Sequence, residues 1–286
     1  MKHFEYISKH DDRVKLAYKN INAMLNELHK RIKSFTFTTE IIGSYKRNLI
    51  TYDIKSNIGF DFDYNIVLNQ NANKFSPKKI KESIFMTQFK ELANKYGFDK
   101  IENSTRVITL KKVNKEESKI TYSCDFAIVR NYEDDNKNKY QEYIRFNKNT
   151  NRYLWYEQSY GVYDLPKRID WIKHENNSRV WDELKNKYLH KKNINNDTKL
   201  HSRQILSMAV NDICNKYGYN EVDCFENEEK QQTSRSIHMD MICINGLKMI
   251  QASRPMNILK LRTISKKRFK MIQASRPIKI DSKFFR

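Results

Sequence analysis

The stretch GFDFDYNIVL at residues 59–68 places two acidic residues inside an otherwise apolar run. Successive side chains of a β-strand point to opposite faces, so the pattern predicts that Asp61 and Asp63 share one face while Phe62 and Tyr64 share the other. A rise of about 3.3 Å per residue would set the two carboxylates about 6 to 7 Å apart. They would repel each other unless a cation such as Mg²⁺, which takes oxygen ligands, lay beside them. The strand therefore predicts a metal site.

A third carboxylate, Asp125, lies inside the predicted strand YSCDFAIV at residues 122–129. Apolar neighbours surround it, and a charge there would be costly if it were unpaired. If the two strands are neighbours in the sheet, we expect all three carboxylates to converge.

The turn that precedes the first acidic strand is typical of a phosphate site. A predicted strand at 36–42 ends at Gly43, where the missing side chain lets a ligand approach the backbone. Ser44 offers a hydroxyl, and a short helix beginning there would present free amides and a positive dipole end to a phosphate. Lys46 or Arg47 could add positive charge.

In this order, the elements at residues 41–129 resemble the DNA polymerase beta-like nucleotidyltransferases, whose motif combines a Gly-Ser turn, an Asp-x-Asp strand and a third Asp on a later strand. The resemblance implies that Gly43 and Ser44 bind a nucleoside triphosphate. It also implies that Asp61, Asp63 and Asp125 hold two metal ions.

The long first helix and the helical second half also resemble the oligoadenylate synthase-like and bacterial cyclic-oligonucleotide synthase branch. That branch usually has Gly-Thr after the turn, whereas this chain has Asn48-Leu49. In the branch a lysine on a helix of the second lobe contacts the triphosphate, and the resemblance makes Lys185 a candidate for this role.

The periodicity of the chain predicts an α+β fold, a mixed sheet with flanking helices followed by a mainly helical second lobe, and the resemblance implies that the sheet is nucleotidyltransferase-like. We predict a catalytic core at 1–163, a helical lobe at 164–246 and a basic tail at 247–286. The tail contains the segment KMIQASRP twice, at 248–255 and 270–277, which indicates a recent duplication.

The net charge of +20 has two interpretations. Clustered Lys and Arg favour nucleic-acid binding through counterion release, but the abundance of Lys, Asn and Ile is also what an AT-rich genome would encode. The tail holds twelve Lys or Arg residues and one acidic residue, a net charge of +11, and this concentration favours an RNA or nucleotide partner.

The four cysteines, Cys124, Cys214, Cys224 and Cys243, are too scattered to predict a zinc site or a disulfide framework. The sequence has no apolar run of the roughly 18 residues that a membrane span needs. We therefore expect a cytoplasmic protein that does not bind membranes.

These observations lead to the hypothesis of a metal-dependent nucleotidyltransferase. It would transfer a nucleoside monophosphate from an NTP such as ATP to a hydroxyl of RNA or of a nucleotide and release pyrophosphate. Two Mg²⁺ ions, or Mn²⁺ in their place, would lie at the three carboxylates, with Asp125 nearest the acceptor. The rival hypothesis is a non-catalytic, basic RNA-binding protein with the same fold.

Overall fold

The computed structural model describes residues 2–219, apart from residues 54, 57, 134–138, 160, 175–177 and 198–199. The tail at 247–286, its repeated segment and the part of the predicted helical lobe beyond residue 219 lie outside the described residues. The division into three domains stays a prediction.

The elements of this part of the chain follow one another as listed in this sentence: β1 (Phe4–Tyr6), α1 (Asp12–Arg31), β2 (Phe37–Ile42), α2 (Gly43–Arg47), β3 (Thr51–Asp53), β4 (Phe60–Leu68), α3 (Thr87–Lys95), β5 (Lys100–Asn103), β6 (Val107–Asn114), β7 (Lys119–Glu133), β8 (Lys139–Asn147), β9 (Arg152–Glu157), α4 (Gly161–His174), α5 (Ser178–Ile194) and α6 (Ser202–Tyr217). A 3₁₀ turn (Gln70–Lys74) and a π-helical stretch (Lys79–Met86) precede α3.

Among the described residues the main sheet has seven strands, and the order of five of them is β2-β4-β7-β6-β5. The strands β8 and β9 extend it, because β8 pairs with β7 and β9 pairs with β8. The pair β4–β7 is parallel, whereas the other pairs are antiparallel. The predicted mixed sheet with flanking helices is confirmed.

The core lies on the face of the sheet opposite Asp61 and Asp63. Phe62 and Tyr64 are buried there, as the alternating pattern predicts, and Tyr64 stacks on Phe126 of β7. Helix α1 packs its buried stripe into the same cluster. Its start is capped, because the side chain of Asp11 accepts a hydrogen bond of 2.9 Å from the backbone N–H of Arg13.

The hairpin β8–β9 is the main element that the periodicity does not predict. It has few fully buried positions, so the apolar alternation is weak. Aromatic rings and arginines pack against each other instead: Arg130 lies 4.4 Å from the ring of Trp155, and Arg145 lies 5.6 Å from the ring of Tyr156. Contacts of this kind stabilise a strand pair without an apolar stripe.

The first strand is bound to the fifth helix. The side chain of Asn193 on α5 accepts a hydrogen bond of 2.6 Å from the backbone N–H of Phe4 and donates one of 3.1 Å to the carbonyl of Phe4. The hydroxyl of Tyr6 donates to the carbonyl of Lys185 at 2.8 Å. These bonds hold α5 against β1. None of the helices in this part of the chain has the length and apolar character needed to cross a membrane.

Candidate active site

The three predicted carboxylates lie on adjacent strands. Strands β4 and β7 run parallel, and their register places Asp63 directly beside Asp125. Asp61 precedes Asp63 by two residues on the same face of β4 and lies beside Ser123. The condition that the sequence left open, that the two strands be neighbours, is met.

The electrostatics of the site are those of a crowded anionic cluster. Burial, followed by the charges of Asp61 and Asp125, raises the pKa of Asp63 to about 7. Burial also raises the pKa of Asp61 and of Asp125. Asp61 is nevertheless exposed to solvent. Its carboxylate therefore lies in a concave part of the surface, where water reaches it but surrounding protein atoms limit its hydration.

Each carboxylate receives a hydrogen bond from a different element. The hydroxyl of Thr109 on β6 donates to Oδ1 of Asp125 at 2.6 Å. The hydroxyl of Ser123 on β7 donates to Oδ1 of Asp61. The backbone N–H of Ser44 donates to the carboxylate of Asp63. The sequence analysis did not identify Thr109 or Ser123, because their roles depend on strand register.

The glycine of the Gly-Ser turn is required by geometry. Gly43 has a φ of +66°, and β2 pairs with β4 so that Ile42 lies opposite Asp63. A Cβ at residue 43 would lie 2.7 Å from Cγ of Asp63 and 2.9 Å from its Cβ. The predicted turn is therefore present, but its close approach is to Asp63. Because α2 has only five residues, its dipole is small, and a phosphate there would depend on individual donors.

The two basic residues predicted beside the turn differ in environment. Lys46 is exposed, whereas Arg47 is partly buried. Burial lowers the pKa of Arg47, and the charges of Asp63 and Asp170 oppose this shift. Arg47 therefore lies between the carboxylate cluster and helix α4, the position that suits an anion bound at the turn.

A lysine that the sequence analysis missed faces the carboxylates. Burial lowers the pKa of Lys192 on α5 to about 8, and the charges of Asp61 and Asp63 oppose the shift. Its Nζ donates to the hydroxyl of Thr51 at 2.6 Å and lies 4.1 Å from the ring of Phe4.

Lys185, the predicted lysine, lies two turns earlier on the same face of α5. Its Nζ lies 3.4 Å from Asp182 and 5.6 Å from the ring of Tyr6. One signal could have indicated Lys192: it continues the buried stripe of Val180, Leu184 and Tyr188 at intervals of four residues.

Further arginines interact with the cluster and with one another. Arg203, at the start of α6, interacts with Arg47 and Asp63. Arg106 in turn interacts with Arg203 and Arg145, and the repulsion reinforces the lowering of its pKa by burial. The guanidinium of Arg106 also lies 4.0 Å from the ring of Tyr143. We call Arg47, Arg203, Arg106 and Arg145 the arginine row.

The donor set fits a divalent cation in its chemistry. The charges of neighbouring carboxylates raise the pKa of Asp63 and of Asp125, a cation would relieve this repulsion, and carboxylate oxygens are ligands of Mg²⁺. Across the described residues, however, no group of three or more His, Cys, Asp or Glu is already arranged to hold a metal ion. The side chains would have to close around an ion as it binds.

No protein-family model and no curated protein matches the chain. Solved structures do. The STING-associated CdnE c-di-GMP synthase of Capnocytophaga granulosa is 17% identical, with a TM-score of 0.49 over 74% of this chain and 63% of that one. The CdnE cyclic dinucleotide synthase of Elizabethkingia meningoseptica is 13% identical, with a TM-score of 0.46 over 72% and 71%.

The GTP-bound DncV of Vibrio cholerae is also 13% identical, with a TM-score of 0.45 over 71% of this chain and 52% of that one. The chain thus spans less than two thirds of the Capnocytophaga and Vibrio proteins. These structural neighbours are cyclic dinucleotide synthases, the branch that the long first helix and the helical second half of this chain resemble.

Proposed function

We propose that this protein is a nucleotidyltransferase that uses an NTP, transfers its nucleoside monophosphate to a hydroxyl and releases pyrophosphate. One observation carries the proposal: Asp63 and Asp125 lie in register on adjacent parallel strands, with Asp61 two residues away and the Gly43-Ser44 turn against Asp63. Three carboxylates held this close destabilise the fold unless a cation neutralises them, so their presence favours a cation-dependent function.

The triphosphate would lie between the turn and α5. Ser44 would contribute its hydroxyl and, once Asp63 moves toward a cation, its backbone N–H. The charge of Lys192 interacts with Asp61 and Asp63, the charge of Arg47 interacts with Asp63, and both side chains would neutralise the phosphates. Positively charged side chains would then hold the departing pyrophosphate, on which negative charge develops.

The acceptor would lie near Asp125. Its hydroxyl oxygen forms a bond to the α-phosphorus while the bond from that phosphorus to the bridging oxygen breaks and pyrophosphate leaves. Oδ1 of Asp125 already accepts the proton of Thr109, so Oδ2 would take up or orient the proton of the acceptor. The arginine row supports an acceptor that carries phosphates, either RNA or a nucleotide.

Asp61, Asp63 and Asp125 would hold two Mg²⁺ ions, or Mn²⁺, which when bound lower the pKa of the attacking hydroxyl and neutralise the triphosphate. All three residues offer only hard oxygen ligands, the kind these ions select. A cytoplasmic location also stays a prediction.

Incubation with the four labelled NTPs and Mg²⁺, with and without RNA, tests the proposal. We expect pyrophosphate release and label transferred to an acceptor. Label in RNA would identify a polymer acceptor, and label in a short oligonucleotide would identify a nucleotide acceptor. RNA binding without pyrophosphate release under any condition would contradict the proposal and favour the non-catalytic RNA-binding alternative.

The substitution Lys192→Met tests the position of the triphosphate. Loss of one charged hydrogen bond, typically worth about 1.5 to 3 kcal/mol, should raise the KM for NTP roughly ten- to hundredfold. Lys185→Met is the matched control on the same helix and should change KM by less than about threefold. A larger rise in the KM for NTP in Lys185→Met than in Lys192→Met would indicate that Lys185 contacts the phosphates instead.

A further inference from the structure

The geometry points to Thr109 as a positioning residue, which holds Asp125 by donating to one of its oxygens and leaves the other for the cation and the acceptor. This inference rests on the proposed function. Residues directly opposite each other on antiparallel strands have their Cβ atoms about 4.5 to 5.5 Å apart. Thr109 on β6 lies directly opposite Asp125 on β7, and its hydroxyl lies 2.6 Å from Oδ1.

The environment of Thr109 makes this bond restrictive. Its exposed fraction is 9%, so few water molecules can replace Asp125 as the acceptor of the hydroxyl. Thr109 is also β-branched and lies inside a strand, where χ1 is restricted. The hydroxyl therefore fixes the rotamer of Asp125 from the neighbouring strand β6, while the carboxylate remains on the face that it shares with Asp63.

The hydroxyl of Ser123 makes the corresponding bond to Oδ1 of Asp61. Two of the three carboxylates thus have one oxygen occupied by a hydroxyl of a neighbouring strand. Partners of this kind orient metal ligands, and their loss typically costs 10- to 100-fold in metal affinity or activity.

A purely structural role for Thr109 predicts a different response. If the hydroxyl only stabilised the sheet, replacement by an apolar residue of the same shape would lower the stability of the fold and leave metal affinity unchanged. Thr109→Val makes this replacement and retains the strand propensity of the site. Thr109→Ser removes the methyl group and keeps the hydroxyl, so the two variants separate shape from hydrogen bonding.

The first measurement is titration calorimetry of the NTP-free protein with Mn²⁺ alone. We expect Thr109→Val to weaken binding by about 10- to 100-fold and Thr109→Ser to restore most of the affinity. Thr39→Val, the same change on β2, should bind as the wild type does. Circular dichroism verifies folding, and Thr109→Ala replaces the valine variant if that variant does not fold.

The second measurement is steady-state kinetics with NTP. Because Asp125 would act at the acceptor and not at the triphosphate, Thr109→Val should lower kcat about 10- to 100-fold and leave the KM for NTP within about twofold. Equal Mn²⁺ affinity in the valine variant and the wild type would overturn the inference, as would equal impairment of the valine and serine variants.

The two measurements also separate this inference from the proposed function. A wild-type protein that binds Mn²⁺ but transfers no nucleotide would contradict the proposed function alone, and the calorimetric comparison would still decide the role of Thr109. A wild-type protein that binds no Mn²⁺ would overturn the role of Thr109 as well.

Discussion

Asp63→Asn should abolish nucleotidyl transfer while making the metal-free protein more stable. The carboxylate of Asp63 lies between Asp61, Asp125 and the Gly-Ser turn, so it would contact both ions. We expect kcat/KM to fall by about three orders of magnitude, which corresponds to about 4 kcal/mol of transition-state stabilisation. Asp182→Asn, an exposed position on α5, is the control and should leave kcat/KM unchanged.

The stability effect of Asp63→Asn has a defined pH dependence. The pKa of Asp63 is raised to about 7 in the folded protein from an ordinary value of 3.8, so the folded state holds this proton more tightly. The contribution of this group to stability is therefore lost as the pH rises from about 4 to 7. Asparagine cannot ionise, so the variant should gain about 1 to 2 kcal/mol at pH 8 after allowance for solvent screening, and nothing near pH 4.

Urea unfolding in the presence of a chelator at both pH values measures this difference. An Asp63→Asn protein that is less stable than the wild type at pH 8 would show that the carboxylate cluster is not under repulsion. Retained nucleotide transfer in that variant would remove Asp63 from the site.

Gly43→Ala should reduce activity by about 100-fold or more, because the new methyl group would occupy the place of the Asp63 carboxylate. The Cβ would lie 2.7 Å from Cγ of Asp63, so Asp63 must move, and a displacement of about 1 Å in an active site can cost a factor of about 100. The φ of +66° adds strain of about 1 to 2 kcal/mol for any residue other than glycine.

Gly218→Ala separates the two effects. Gly218 ends α6 with a φ of +73°, and a Cβ there would have no neighbour within 4 Å. Both alanine variants should therefore lose the stability that a positive φ costs, with a further loss in Gly43→Ala from the contact with Asp63, whereas only Gly43→Ala should lose activity. Equal activity of the two variants would show that the close approach of the turn to Asp63 has no catalytic importance.

The predictable part of the site lies within single elements. Alternation in GFDFDYNIVL fixes which residues of β4 share a face, and Gly43 followed by Ser44 marks a turn wherever the strands are placed. The undetected residues come from other elements: Thr109 contacts Asp125 only through the β6–β7 register, and Lys192 reaches the cluster only because α5 packs on β1. No local pattern encodes such distances. The hairpin β8–β9 was missed because its ring–guanidinium contacts leave little apolar periodicity.

The attachment of Asn193 to Phe4 has a consequence for the order in which the protein acquires its structure. The two residues are 189 positions apart in the chain, and closing so long a loop delays folding because its entropy must be lost before the contact forms. The carboxylates on β4 and β7 can assemble from nearer segments. Lys192, adjacent to Asn193, reaches them only after α5 has been synthesised and has docked on β1, so a nascent chain holds its acidic cluster before the lysine that balances it.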